Sequence, residues 1–339
     1  MPLNERKKQI LYAVVKEHVN NAEPVGSRTL ARRYNLGFSS ATIRNEMADL
    51  EEMGYLKQPH TSAGRIPSEK GYRYYVDFLM EVPALTEEEE IRLNKALKLE
   101  KMREIEQIIQ NVSKGLSEIT NYTSLVIAPQ LTKSAFKEMR IIPIDEQRGI
   151  VVLITDTGFI KNKIINLPRM LNPQELNQVV NYLNKRLRGL AIDQVTNSLL
   201  RELKRDLFHR IEILEQAFLL LEESLSEDDN RIFLGGTTKI LNQPEFKNVE
   251  KIKRLLSLFE QDSLLMSLLS SALEKKDVWV KIGKENKLKE AQECSLVTAS
   301  YKVGGKTIGT IGVLGPTRMQ YAKVIAIVKY FAEQLNQLF

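Results

Sequence analysis

The sequence predicts an α+β protein of more than one domain. Three observations carry this reading. Apolar residues recur at helical spacing through the first 120 residues, then alternate between about 125 and 166. Helical spacing returns after Pro173, and strand-like segments resume from Asp277 to Leu314, so strands stand on both sides of a helical block. The chain has 339 residues, of which 43% are hydrophobic and 27% charged, enough to build more than one core.

The elements follow in order. Residues 4–20 carry the stripe Ile10, Leu11, Val14, Val15 and Val19, the spacing of one helix face. Pro24 and Gly26 end the connection, and Ser27 is placed to cap a short helix with Leu30 and Tyr34. Asn35-Leu36-Gly37-Phe38 reads as a tight turn. Ser39 or Ser40 caps a third helix whose inner side is Ile43, Met47 and Leu50, and Gly54 stops it. Tyr55 to Gln58 reads as a short strand, Pro59 to Gly64 as a turn, and Arg65-Ile66 as the return. Ser68 caps a helix with Tyr72, Tyr75, Phe78 and Leu79. Three helices and a hairpin are the plan of a winged helix-turn-helix, here over residues 1–80.

Thr86 and Glu89 have the spacing of a capping box, and the stripe from Ile105 to Ile119 extends a linker helix over 81–121. Strands are expected at 125–127, 139–144, 150–155 and 159–166, with hairpin turns at 145–149 and 156–158. Further strands fall at 277–282, 294–303 and 306–314, before a final helix around 324–335. The pattern therefore predicts an α+β domain over 122–190 and 276–339, interrupted by a mainly helical insertion over 191–275. The strongest stripe of that insertion is Leu200, Leu203, Leu207, Ile211, Leu214, Phe218, Leu221 and Leu225. It fits either the buried face of a domain or a subunit interface.

The third helix is the candidate reader of DNA. With Ile43, Met47 and Leu50 turned inward, Ala41, Thr42, Arg44, Asn45 and Ala48 lie on or near the other side. Arg suits guanine O6 and N7, Asn suits adenine N6 and N7, and small methyl groups pack on thymine. Ser39, Ser40 and Ala41 leave the helix end slim, and its amides favour a phosphate. Arg28, Arg32, Arg33 and Lys57 are candidate backbone contacts, and the turn with His60, Thr61 and Arg65 is placed to reach a phosphate or the minor groove. Residues 1–80 hold 12 basic and 9 acidic side chains, a light charge for a DNA-binding unit. Winged helices also serve as protein-binding modules, so that alternative stands beside DNA binding.

Other classes are excluded or left without support. The single cysteine, Cys294, excludes an intramolecular disulfide and any Cys-based zinc or iron–sulfur site. His18, His60 and His209 are scattered without ligand spacing. Gly304-Gly305-Lys306-Thr307 ends like a phosphate loop, but Ser300 stands where that motif needs glycine, and a hairpin turn explains it better. Leu234 to Thr238 reads as a plain turn, and the acidic run from Glu222 to Asp229 as a solvated face. No catalytic constellation is evident, and no metal or cofactor is expected. The first residues lack a signal-peptide core, and Leu264 to Leu273 is about half the length of a membrane span. The expectation is a soluble, cytoplasmic, non-enzymatic protein; net charge is +6.

Several words of the sequence are more specific than these patterns. Pro24-Val25-Gly26-Ser27-Arg28, Ser39-Ser40-Ala41-Thr42-Ile43-Arg44-Asn45-Glu46-Met47, Gly54-Tyr55-Leu56 and His60-Thr61-Ser62-Ala63-Gly64-Arg65-Ile66-Pro67 resemble the heat-inducible transcription repressor family HrcA. Gly71 to Asp77, Phe233-Leu234-Gly235-Gly236 and Lys302 to Leu314 extend the likeness along nearly the whole chain. The resemblance implies a repressor of chaperone operons that binds an inverted-repeat operator as a homodimer, is relieved on heat stress, and depends on chaperonin. It implies a winged-helix domain, a GAF-like domain and an inserted dimerisation domain. Under it, the DNA contacts are Arg28, Ser39, Ser40, Ala41, Thr42, Arg44, Asn45, Lys57, His60, Thr61 and Arg65. The dimerisation stripe is Leu203, Leu207, Ile211, Leu214, Phe218 and Leu221. The alternative is a ligand-gated regulator that senses a small molecule through the GAF-like domain.

Overall fold

The structure is a computed structural model that describes residues 3–60, 63–97, 105–129, 134–145, 147–158, 160–166, 173–195, 199, 202–203, 231–273, 278–303 and 306–338. The N-terminal head contains helices α1 (Glu5–Asn21), α2 (Ser27–Arg33) and α3 (Ser40–Glu52), strands β1 (Leu56–Lys57) and β2 (Ile66–Pro67), and α4 (Glu69–Tyr74). α4 runs on as one π turn over Tyr75–Leu79. Ile10, Leu11, Val14, Leu30, Ile43 and Leu50 are all fully buried, so the three stripes meet in one core. α2 begins at Ser27 with Gly26 in the cap position and no side-chain cap, so Ser27 is the first helical residue rather than the cap. β1 is shorter than expected, and β2 is shifted by one residue. The ribbon gains a third edge instead, through paired hydrogen bonds between Val25 and Arg65 (2.8 and 2.9 Å). Gly64 lacks a side chain because a Cβ there would stand 2.4 Å from the Val25 carbonyl oxygen.

The body is built on a five-stranded antiparallel sheet in the order β7-β3-β10-β9-β8, formed by β3 (Thr123–Ile127), β7 (Ile232–Gly235), β8 (Trp279–Ile282), β9 (Cys294–Val303) and β10 (Lys306–Pro316). Neighbouring residues point to opposite faces. Val126, Val297 and Val313 meet α6 (Ile105–Thr120) and the C-terminal helix α11 (Tyr321–Leu338). Leu125, Leu296 and Leu314 meet α8 (Thr237–Leu241), α9 (Val249–Phe259) and α10 (Asp262–Leu273). Both faces are covered, which is why β3 is buried at every residue.

Three expectations are corrected here. The span 81–121 is not one linker helix: α5 (Glu87–Leu97), opened by a Thr86–Glu89 capping box, precedes α6, and Ile109, Val112 and Leu116 of α6 are fully buried. Residues 232–273 belong to the body rather than to the insertion, because β7 pairs with β3 from Ser124↔Gly235 to Ile127↔Ile232. Conversely, β4 (Phe136–Pro143), β5 (Arg148–Thr155) and β6 (Ile160–Asn166) form a separate three-stranded sheet. With α7 (Pro173–Leu187) they enclose their own core of Phe136, Met139, Val151, Leu153, Val179 and Leu183. The excursion from the body thus begins near residue 134, not 191. The Phe233-Leu234-Gly235-Gly236 word is a strand end under close approach: a Cβ at Gly235 would lie 2.4 Å from Ser124 Oγ, and Gly236 has φ +60°. Lys306 opens a strand, as the hairpin reading requires.

Candidate nucleic-acid interface

α3 is held by its cap and by its neighbours. Ser39 Oγ accepts the Thr42 backbone N–H at 3.1 Å and lies 2.9 Å from Thr42 Oγ1, so the cap that the spacing predicts is Ser39 rather than Ser40. Gly37, at φ +71°, turns the chain between α2 and α3. With Ile43, Met47 and Leu50 buried, Ser39, Ala41, Arg44 and Asn45 are exposed, and Ser40 and Thr42 are half-buried. Arg28 on α2 is exposed as well. Ser39, Ser40, Ala41 and Thr42 stand at the N-terminal end of α3, where the unpaired amides and the positive end of the dipole lie, and Arg44 and Asn45 follow in its second turn.

Two acidic residues of α3, Glu46 and Asp49, are paired from α1, which the sequence pattern did not reveal. Lys7 Nζ bonds Glu46 Oε2 at 2.6 Å and Asp49 Oδ2 at 2.8 Å, and Arg6 reaches Glu46 at 3.3 Å. Hydrogen bonds to Asp49 and then Glu46 raise the Lys7 pKa, so it stays charged. The carboxylates that would repel a phosphate therefore face cations, while Arg44 and Asn45 remain exposed.

The ribbon departs from expectation. His60 is exposed near the tip, closed by Ala63 N–H to His60 O at 2.9 Å, whereas Thr61 lies outside the described residues. Arg65 does not reach outward: its Nε lies 2.7 Å from Glu51 Oε2, an electrostatic contact rather than an aligned hydrogen bond. Lys57 is exposed, but it lines a cleft of about 620 Å³ shared with Arg254, Lys284 and Lys289 of the body, so it faces the body rather than the tip. Arg33 is engaged by the buried Glu17 and is removed from the backbone contacts. The same Glu17 lies beside Tyr34, whose pKa burial pushes up to about 12.

A second candidate surface is the outer face of the three-stranded sheet. Strand register aligns Ile142, Ile150 and Ile164 in one row and Ile154 with Ile160 in another, with Val152 between them. Ile160 and Ile164 are 60% and 61% exposed, and Ile142 is 51% exposed. Of the predicted dimerisation stripe, Leu203 is fully buried in that unit's own core, so it is not an interface residue. Leu207, Ile211, Leu214, Phe218 and Leu221 lie outside the described residues.

Among the described residues, no cluster of His, Cys, Asp or Glu has the makings of a metal site, and no helix is long and apolar enough to cross a membrane. Cys294 is buried, and burial pushes its thiol pKa well up.

These features define a mixed α/β protein that carries a small helical head with one capped, exposed helix. The comparisons narrow that class. A family model described as "HrcA protein C terminal domain" matches residues 106–325. A protein of Natranaerobius thermophilus named "Heat-inducible transcription repressor HrcA" is 51% identical over 99% of this chain and 97% of its own length. Proteins of the same name from Pelotomaculum thermopropionicum and Brevibacillus brevis are 44% and 43% identical, covering 100% and 99% of this chain and 97% and 98% of their own lengths. A crystal structure described only as that of a hypothetical protein aligns with TM-score 0.70 at 26% identity, over 100% of this chain and 99% of that one. This chain belongs to the HrcA family.

Proposed function

We propose that this protein is a DNA-binding transcription repressor of chaperone operons, that it binds an inverted-repeat operator as a homodimer, and that heat relieves it. The observation that carries the reading is α3: a helix capped by Ser39, with Arg44 and Asn45 exposed at its first turns and its Glu46 and Asp49 carboxylates paired with Lys7 and Arg6. The head is a winged helix-turn-helix in which α3 enters the major groove and the ribbon is the wing. Ser39, Ser40, Ala41, Thr42, Arg44, Asn45 and Arg28 carry the contact, with His60 and Thr61 at the wing. The five-stranded body is GAF-like, with no ligand assigned to it. The β4–β6 unit is the inserted dimerisation domain, and its exposed isoleucine face is the surface that pairs. A second copy of that face removes six β-branched side chains from water at roughly 25 cal/mol per Å². The repressor works in the cytoplasm, without catalysis, and chaperonin helps it hold its active fold.

The test is a titration against a duplex carrying an inverted repeat from upstream of a chaperone operon. A scrambled duplex is the control, at two salt concentrations and with or without chaperonin. Tight binding to the repeat, one dimer per duplex, is expected. Arg44→Ala is expected to cost roughly 1–3 kcal/mol and relax base choice, while Arg28→Ala weakens binding to all sequences alike. Unchanged affinity and base preference in Arg44→Ala would overturn α3 as the reader.

A further inference from the structure

Two arginines cross the joint between head and body in opposite directions. Arg318, in the segment between β10 and α11, is only 9% exposed. Its Nη1 donates to the Val19 carbonyl at 2.9 Å, its Nε to Glu245 Oε1 at 2.6 Å, and its Nη2 to Gln243 Oε1 at 3.2 Å. Val19 sits in the last turn of α1, where carbonyls lack helical partners and the dipole is negative, so a cation of the body caps a helix of the head. Arg73, on α4, reaches the other way. Its Nε donates to Glu285 Oε1 at 2.8 Å and its Nη2 to the Val280 carbonyl at 2.7 Å. Glu285 is itself held by the Ile282 N–H at 2.9 Å.

The space between the arginines is filled by Tyr72, whose ring centroid lies 6.0 Å from that of Tyr321 and whose hydroxyl lies 2.7 Å from His18 Nδ1. Gly283, at φ +56°, lets Glu69 of α4 pack where a Cβ would stand 2.4 Å from its carboxylate oxygen. A purely apolar joint can slide. A joint of directed N–H···O bonds to part-buried carbonyls favours one register, because any other breaks those bonds.

We propose that Arg73 and Arg318 are positioning residues that fix the distance and angle between the two DNA-reading heads of the dimer. Operator spacing is thus read through this joint and not by any residue that touches DNA. The proposal rests on the dimeric operator-binding reading above. Two heads held rigidly on one dimer make the second half-site an intramolecular event, a gain of roughly 10²–10⁴ that vanishes when the geometry does not match. A head on a loosened joint still reads its half-site, but it no longer discriminates where the second one lies.

The experiment uses the full chain and three kinds of duplex: the inverted repeat, the repeat with its spacer lengthened by up to about five base pairs (half a helical turn), and a single half-site. Wild type is expected to prefer the unaltered spacing. Arg73→Gln is expected to bind the single half-site as wild type does, while its preference for the unaltered spacing falls by about tenfold. Arg73→Lys, which keeps the charge and a donor, is expected to fall between them. Arg318→Gln is the second probe, read only if its melt shows a folded protein. A folded Arg73→Gln that keeps the wild-type spacing preference overturns the proposal. So does one that loses half-site binding in the same proportion. Wild type that binds no repeat, or shows no spacing preference, overturns the operator reading beneath it.

Discussion

His18 shows what a single residue type conceals. In the sequence it is a lone histidine without ligand spacing, and nothing marks it as part of a joint. In the structure it ends α1 against Tyr72, and burial, aided by the nearby Arg318 charge, lowers its pKa to about 4. Its imidazole is therefore neutral at neutral pH, and its Nδ1 shares a hydrogen bond with the Tyr72 hydroxyl. The unfolded chain titrates near 6.5, so above about pH 6.5 both states are neutral and nothing is lost. As pH falls from about 6.5 to about 4, the unfolded chain binds a proton that the folded chain does not, and stability declines across that window. His18→Gln keeps an acceptor for Tyr72 and is expected to flatten the pH dependence of Tm there, read by thermal melts of both proteins. Arg65 makes the converse point. Its place beside the hairpin turn suggested an outward contact, but the partner that holds it, Glu51, is on another element and invisible to local spacing.

At the scale of elements, patterns set by neighbours along the chain were legible. The stripes of α1 and α3, a serine cap at Ser39 or Ser40, the Thr86–Glu89 box and the span of β9 all follow from spacing and capping chemistry alone. The length of β1 and the start of β2 were not, because Arg65 pairs instead with Val25, far from the hairpin in sequence. Ser39 offers a way to separate fold from contact. Ser39→Ala removes the acceptor for Thr42 N–H and is expected to lower stability by about 1 kcal/mol. Ser39→Asp keeps a strong cap and places a negative charge beside the phosphates. It is expected to melt like wild type yet bind the operator more weakly, with the deficit shrinking as salt rises. Melts and titrations on the two variants check this.

At the scale of the whole molecule, alternation announced seven strands but could not say which sheet each would join. β4–β6 alternate as clearly as β9 and β10, so spacing alone assigns them to the body. β7 is four residues long, and its glycine-rich end reads as a turn. Only the pairing of β7 with β3 relocates the insertion. The outer face of β4–β6 was hidden for a related reason: a strand buried on one face and a strand buried on both differ only in what covers them. If that face joins two protomers, Ile164→Asp places a charge at the exposed end of the Ile142–Ile150–Ile164 row. The variant is expected to sediment as a monomer with an unchanged melt of the head. Operator affinity should fall to that of a single half-site. A dimeric Ile164→Asp would move the interface elsewhere.

The order of strands in the body also sets a clock. β3 is flanked by β7 and β10, and Ile127 finds its partner Thr310 only after roughly 180 further residues have been made, about 10–40 s at ordinary rates of translation. β7 can pair with one edge of Leu125, Val126 and Ile127 once residue 235 is made, but the other edge stays open for the whole interval, while the head, complete by Leu79, has already been made. A newborn chain is therefore half finished in a specific way: its reader is ready long before the scaffold that must aim it. Each cell division refills the repressor pool through this vulnerable interval, so the supply of functional copies follows how well nascent apolar strands are sheltered at that moment.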